Sequence, residues 1–118
     1  MAQARLTEIP VYFYRTTMGT EPVPDWLRGL PAEDRRAIGV DLFCTVQFRW
    51  PLGMPLCRPL DDGLWEVCSN LSGRRIARLL FFVDRGCIGV VHGFIKATQK
   101  TPADDLALAR RRMKEMKA

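Results

Sequence analysis

The stretch LWEVCSNLSGRRIARLLFFVDRGCIGVVHGFIK, residues 64–96, decides how this chain is read. It holds three apolar runs, Leu64 to Asn70, Ile76 to Val83 and Cys87 to Lys96, rich in the β-branched and aromatic residues that suit a pleated, half-buried surface. Turn residues separate the runs at Ser72 and Gly73 and again at Asp84, Arg85 and Gly86. Connections this short join strands that run in opposite directions, so the stretch predicts an antiparallel three-stranded meander.

Side chains two apart on a strand share a face. Glu66 and Cys68 therefore share one face of the first run, and Trp65 and Val67, expected in the core, share the other. In the second run Arg78 stands between Ile76 and Leu80, where a charge is unfavourable without a partner, and Glu66 is the nearest candidate for that partner. The third run aligns His92, Phe94 and Lys96, and the segment after it adds Thr98, Gln99 and Lys100.

Upstream of the meander, Ile9 to Arg15 reads as a first strand with Pro10 at its start, where a missing N–H is tolerated. Thr20 as cap, Pro22 in the first turn and the helical spacing of Val23, Trp26, Leu27 and Leu30 predict a short helix. Pro31 starts a second one, with Glu33 and Asp34 in its first turn and Ile38, Leu42 and Val46 as its apolar row. The two are expected to pack as a hairpin. Between Trp50 and Gly63, three prolines and two glycines predict an ordered connector without strands. Downstream, Thr101 as cap, Pro102 and Asp104 open a last helix whose stripe is Leu106, Ala109, Met113 and Met116 and whose back is basic. The expected order is β-α-α-β-β-β-α, a single α+β domain over residues 1–118 with helices on one face of a mostly antiparallel sheet.

At 118 residues, 47% hydrophobic and 26% charged, the chain has the composition of a folded globule. Its net charge of +5 favours a polyanionic partner. Arg74, Arg75, Arg78, Lys96 and Lys100 form one basic cluster in the sequence, and Arg110, Arg111, Arg112, Lys114 and Lys117 another. Four scattered cysteines and one histidine lack metal-ligand spacing, so neither a metal site nor a cofactor is expected. Without an export signal or an apolar run of membrane length, a reducing cytoplasm with free thiols and no membrane contact is the expectation.

Cutting RNA needs a base for the 2′-hydroxyl, positive charge on the phosphorane and an acid for the leaving oxygen. Arginine and lysine can supply the charge, and Phe94 or Trp65 could stack on a splayed base. Each group also has an ordinary role. Arg78 with Glu66 is otherwise a cross-strand ion pair, His92 a hydrogen-bonded structural residue, and the basic helix back a solvated face. Residue types alone thus lead to a basic α+β domain whose partner is RNA, DNA or an acidic protein.

Several stretches narrow this: PVYFYRTTMGTEPVPDWL, LWEV with SNLSG, RRIARLLF, and HGFIKATQKTP followed by DLALARRRMKEM. Together they resemble the HigB-like, phage-derived branch of the RelE/ParE toxin superfamily over almost the whole chain. The resemblance implies a RelE-like fold and ribosome-dependent, metal-free cleavage of messenger RNA leaving a 2′,3′-cyclic phosphate. It also implies a helix-turn-helix antitoxin, with operator DNA reached only through that antitoxin. By the same resemblance, catalytic residues map most directly onto Arg78, Lys96 and Lys100 and less directly onto His92 and Arg58, the last as an RNA contact; basic charge and an aromatic ring make Arg74, Arg75 and Phe94 the further RNA-binding candidates. Two departures stand out: Cys68 where relatives usually carry arginine, and Arg75 where they tend to carry glycine. They imply an alternative, a weakened or silent homologue that binds antitoxin and regulates its operon. The ParE branch implies a third, inhibition of DNA gyrase.

Overall fold

The computed structural model describes residues 9–46, 57–96 and 101–118. Strand β1 (Val11–Phe13) is followed by helices α1 (Pro22–Arg28) and α2 (Ala32–Gly39), and the chain continues from α2 in π-helical turns over Val40–Val46. Then come β2 (Cys57–Pro59), β3 (Leu64–Leu71), β4 (Arg75–Asp84), β5 (Cys87–Lys96) and α3 (Ala103–Lys117). The five strands lie in the order β1-β5-β4-β3-β2. Among the described strands only β1 pairs in parallel, with β5, so the sheet is mixed and mostly antiparallel. The α+β class and the meander stand as expected, and the architecture is consistent with a RelE-like fold.

The expected connector contains a strand. Cys57–Pro59 adds to the sheet edge beside β3, placing Arg58 opposite Glu66. A proline is tolerated there because an edge strand has one side without ladder partners. The rest of the predicted connector, residues 47–56, lies outside the described residues.

Helices cover both faces of the sheet, not one. On the first face Val23, Ile38 and Leu42 bury against Val67, Leu79, Phe81, Ile88 and Val90, with Trp65 partly buried beside them. On the second, Ala109 and Met113 of α3 meet Leu64, Leu80, Phe82, Val91 and Tyr14. The run LLFFV in β4 explains this, because a strand apolar on both sides can bury itself only between two layers. The two N-terminal helices lean mainly on the sheet, α1 against β5 and α2 against β3. Gly93 permits the first of these contacts, since a Cβ there would lie 2.6 Å from Cζ3 of Trp26.

Register in the central ladder carries one irregularity. Leu80 faces His92 but Phe81 faces Val90, so Val91 is an extra residue, a β-bulge. Before the bulge Ile88 and Val90 belong to the α1/α2 layer, and after it His92 and Phe94 sit opposite Leu80 and Arg78, on the α3 side.

Both expected caps are corrected. The residue capping α1 is Glu21, while the N–H of Thr20 donates to Oγ1 of Thr16 at 3.1 Å. Pro102 precedes α3 in the cap position, and the hydroxyl of Thr101 is used elsewhere. In the β3–β4 turn the left-handed residues are Gly73 (φ 73°) and Arg74 (φ 62°), whereas Arg75 is extended at φ −87°. The non-glycine residue that carries a left-handed conformation in that turn is therefore Arg74, whereas Arg75 has ordinary extended backbone.

Candidate functional site

Alternation along β3 puts Glu66 on the α3 side, between Leu64 and Cys68, where it is completely buried. A carboxylate without water needs donors. Arg58, directly across on β2, donates from Nη2 to Oε1 at 2.6 Å. Arg78, one register step away on β4, spans both oxygens from Nη1 at 3.3 Å each. Thr101, at the entry to α3, donates its hydroxyl to Oε2 at 2.6 Å. The Cys68 thiol points at Oε1 from 3.6 Å.

Four elements thus converge on one carboxylate. Burial, followed by the nearby Glu66 charge, pushes the Cys68 thiol above its usual range, so it stays protonated and uncharged. Within this group of described side chains, one carboxylate is shared by two guanidiniums, so the cations outnumber the anion by one. The two arginines are not equivalent: the side chain of Arg78 is 4% exposed, that of Arg58 35%. Arg58 is the one that reaches solvent.

His92 belongs to a second polar group on the same face. Its Nε2 lies 2.7 Å from Oδ1 of Asp105 in the first turn of α3, and its ring is 5.4 Å from that of Phe94, tilted by 32°. Glu66, Leu80 and His92 form one row across three strands. Two strand spacings separate the carboxylate from the imidazole by about 10 Å, with Leu80 between them.

The other predicted residues divide. Lys96 ends β5 opposite Ile76, two residues beyond Phe94, and its side chain lies outside the described set, as does all of Lys100. Arg74 is exposed in the β3–β4 turn. Arg75 turns to the opposite layer and grips Asp34 of α2 in a fork, Nη1 to Oδ2 at 2.8 Å and Nη2 to Oδ1 at 3.0 Å, while its Nε donates to the Ser72 carbonyl at 2.9 Å. That geometry makes Arg75 a brace between helix and turn. The guanidinium holds the Asp34 carboxyl below its ordinary range.

Much of the basic charge on α3 is engaged internally. Arg110 pairs with Asp62 at 2.8 Å, and Arg112 donates to the Val91 carbonyl at 2.9 Å and lies 5.0 Å from the Tyr14 ring centre. Lys117 stands 5.4 Å from the centre of the Phe82 ring. The Tyr14 hydroxyl completes this seam by donating to Glu115 at 2.6 Å.

Three site residues escape a reading of residue types alone. Arg58 as a partner of Glu66 depends on β2, hidden among prolines; Thr101 has the local signature of a cap; Asp105 carries no signal beyond its place in a first turn. Among the described residues no group of three or more histidine, cysteine or acidic side chains is placed to hold a metal ion. No described helix is long and apolar enough to cross a membrane.

An α+β domain with mixed sheet, a C-terminal helix across one face and a basic cluster beneath it defines a class of small protein that one family model matches. Residues 25–114 match the phage-derived Gp49-like proteins (DUF891), and the chain belongs to that family, which is part of the RelE/HigB-type toxin group. No curated protein matched the chain.

Proposed function

We propose that this chain is the toxin of a toxin–antitoxin pair and that it cuts messenger RNA on the ribosome. The observation that carries the reading is the excess positive charge where Arg58 and Arg78 share Glu66, in a chain of the RelE/HigB-type toxin group. In the proposed reaction the 2′-hydroxyl gives up its proton and its oxygen attacks the adjacent phosphorus. The 5′-oxygen of the next nucleotide leaves and takes up a proton, so a 2′,3′-cyclic phosphate remains. Arg58 lies against the phosphate and stabilises the charge that grows on it. Arg78 sets the field from behind, and Lys96 and Lys100 add cations from the end of β5 and the segment after it. His92, with one nitrogen engaged by Asp105, offers the other for proton transfer. Phe94 gives a ring on which a base can stack. A helix-turn-helix antitoxin is the proposed partner, and through it operator DNA.

Induced expression of the wild-type chain tests this. Growth arrest with cuts inside translated messages is expected, and Arg58→Ala relieves both. Arrest with intact messages and broken DNA would instead mark a gyrase poison, and normal growth with intact messages would remove the toxin reading.

One observation favours a second reading. Cys68 sits opposite Arg78 with an uncharged thiol and so adds no charge to the site. A silent antitoxin-binding module would follow, and gain of toxicity in Cys68→Arg, from a harmless parent, would establish it.

A further inference from the structure

We propose that Glu66 is a positioning residue, whose buried charge aims the Arg58 guanidinium at the RNA phosphate and ties that aim to the entry of α3 through Thr101. For the identity of the anion this rests on the RNA-cutting reading; for the alignment it rests on geometry alone.

Folding by itself does not require a charge at this position. Glu66 lies in a strand whose same-face neighbour is Leu64, close to Leu80 and Phe82, and an apolar side chain would continue that layer. Replacing a buried ion pair by apolar residues of similar volume is often neutral or stabilising, so stability is a poor reason for a charge here. Neutralising buried Arg78 needs one carboxylate and nothing more. The cluster goes further: it recruits Arg58 from an edge strand and a hydroxyl from the start of a helix.

Division of labour between the two oxygens shows what the extra partners do. Oε1 takes the short bond from Arg58 and the thiol contact, Oε2 takes Thr101, and Arg78 spans both. The carboxylate plane is therefore fixed from three directions. Arg58, bound through one terminal nitrogen to a carboxylate that cannot rotate, keeps a solvent-reaching side chain in one orientation. A long arginine normally loses rotamer entropy on being ordered, and here part of that loss has occurred before any ligand arrives.

The test compares the purified full-length wild type with Glu66→Gln, Glu66→Asp and Thr101→Val. Denaturant melts give the folded fraction of each. Three readouts follow: cleavage by translating ribosomes, affinity for a 2′-O-methylated RNA oligonucleotide that cannot be cut, and the line widths of the Arg58 and Arg78 guanidinium proton signals. Glu66→Gln should lower kcat per folded molecule on the order of 100-fold while KM changes by less than about threefold. Glu66→Asp should recover part of the loss, and Thr101→Val should give a smaller one. The Arg58 signal, narrow in wild type, should broaden in Glu66→Gln.

Wild-type kcat and an unchanged Arg58 signal in folded Glu66→Gln would overturn the proposal. If Glu66→Gln does not fold, Thr101→Val and Glu66→Asp decide in its place, and an unchanged signal with unchanged kcat in both overturns the proposal equally. If the wild type neither cuts messages nor binds the oligonucleotide, the RNA reading fails by itself, and the guanidinium signals still decide whether Glu66 aligns Arg58.

Discussion

Two buried carboxylates, one on each side of the sheet, meet arginine in different ways. Asp34, on the α1/α2 side, has Arg75 to itself in a two-pronged fork, and the charges cancel. Glu66, on the α3 side, divides itself among Arg58, Arg78 and Thr101, and positive charge is left over. A pair matched one to one has no remaining valence for a ligand and acts as a brace. A carboxylate that is oversubscribed does not quench its arginines, and one of them stays partly in solvent. Counting donors per carboxylate thus separates the two sides better than counting arginines.

The largest expected effect breaks the crowded side outright. Glu66→Ala leaves buried Arg78 without its compensating charge, and unfolding free energy should fall by about 3–5 kcal/mol, read as a lower urea midpoint at constant slope. A loss below about 1 kcal/mol would mean that the two sides do not differ in this way.

The next effect probes how tightly the other side is filled. Gly93→Ala places a methyl 2.6 Å from Trp26 and 2.9 Å from Leu79. A cost of about 1–3 kcal/mol is expected from this overpacking, again by denaturant titration.

The smallest effect separates the braces by pH. Because Arg75 depresses Asp34 in the folded state, this pair contributes stability that is complete above the ordinary aspartate value of 3.8 and is lost as pH falls through the lower, folded value. Asp34→Asn should remove that part of the acid dependence, measured as the difference between the unfolding curves of the two proteins below pH 3.8. Equal acid dependence in both would show that the fork is not what stabilises α2 on the turn.

How much of this is legible in the sequence depends on whether a residue's role is local. The meander follows from runs and turns, and the partnership of Glu66 with Arg78 from parity plus the cost of a buried charge. Helical spacing suffices to place Ala109 and Met113 on the buried stripe of α3. Arg58 emerges only by resemblance, because its strand is three residues long and ends in proline, and edge pairing leaves no periodic trace. Thr101 misleads because a threonine before Pro-Ala-Asp satisfies every local rule for a cap, while its actual partner lies 35 residues away. Placement of helices on both sides is written in LLFFV, but a simpler one-layer scheme accounts for the element order equally well.

The extra residue in β5 has a consequence for how this strand tolerates change. Val91 shifts the alternation by one, so the strand is written in two phases: even-numbered positions up to 90 turn toward α1 and α2, and from 92 onward toward α3. Deleting that single valine would remove the bulge and restore one phase throughout, with the imidazole still opposite Leu80 and the ring of Phe94 still opposite Arg78, both on the α3 side beside Asp105. The loss would fall on the apolar layer beneath α3, which gives up a fully buried valine, so at this point of the chain a change of length spares the polar group and is felt in packing.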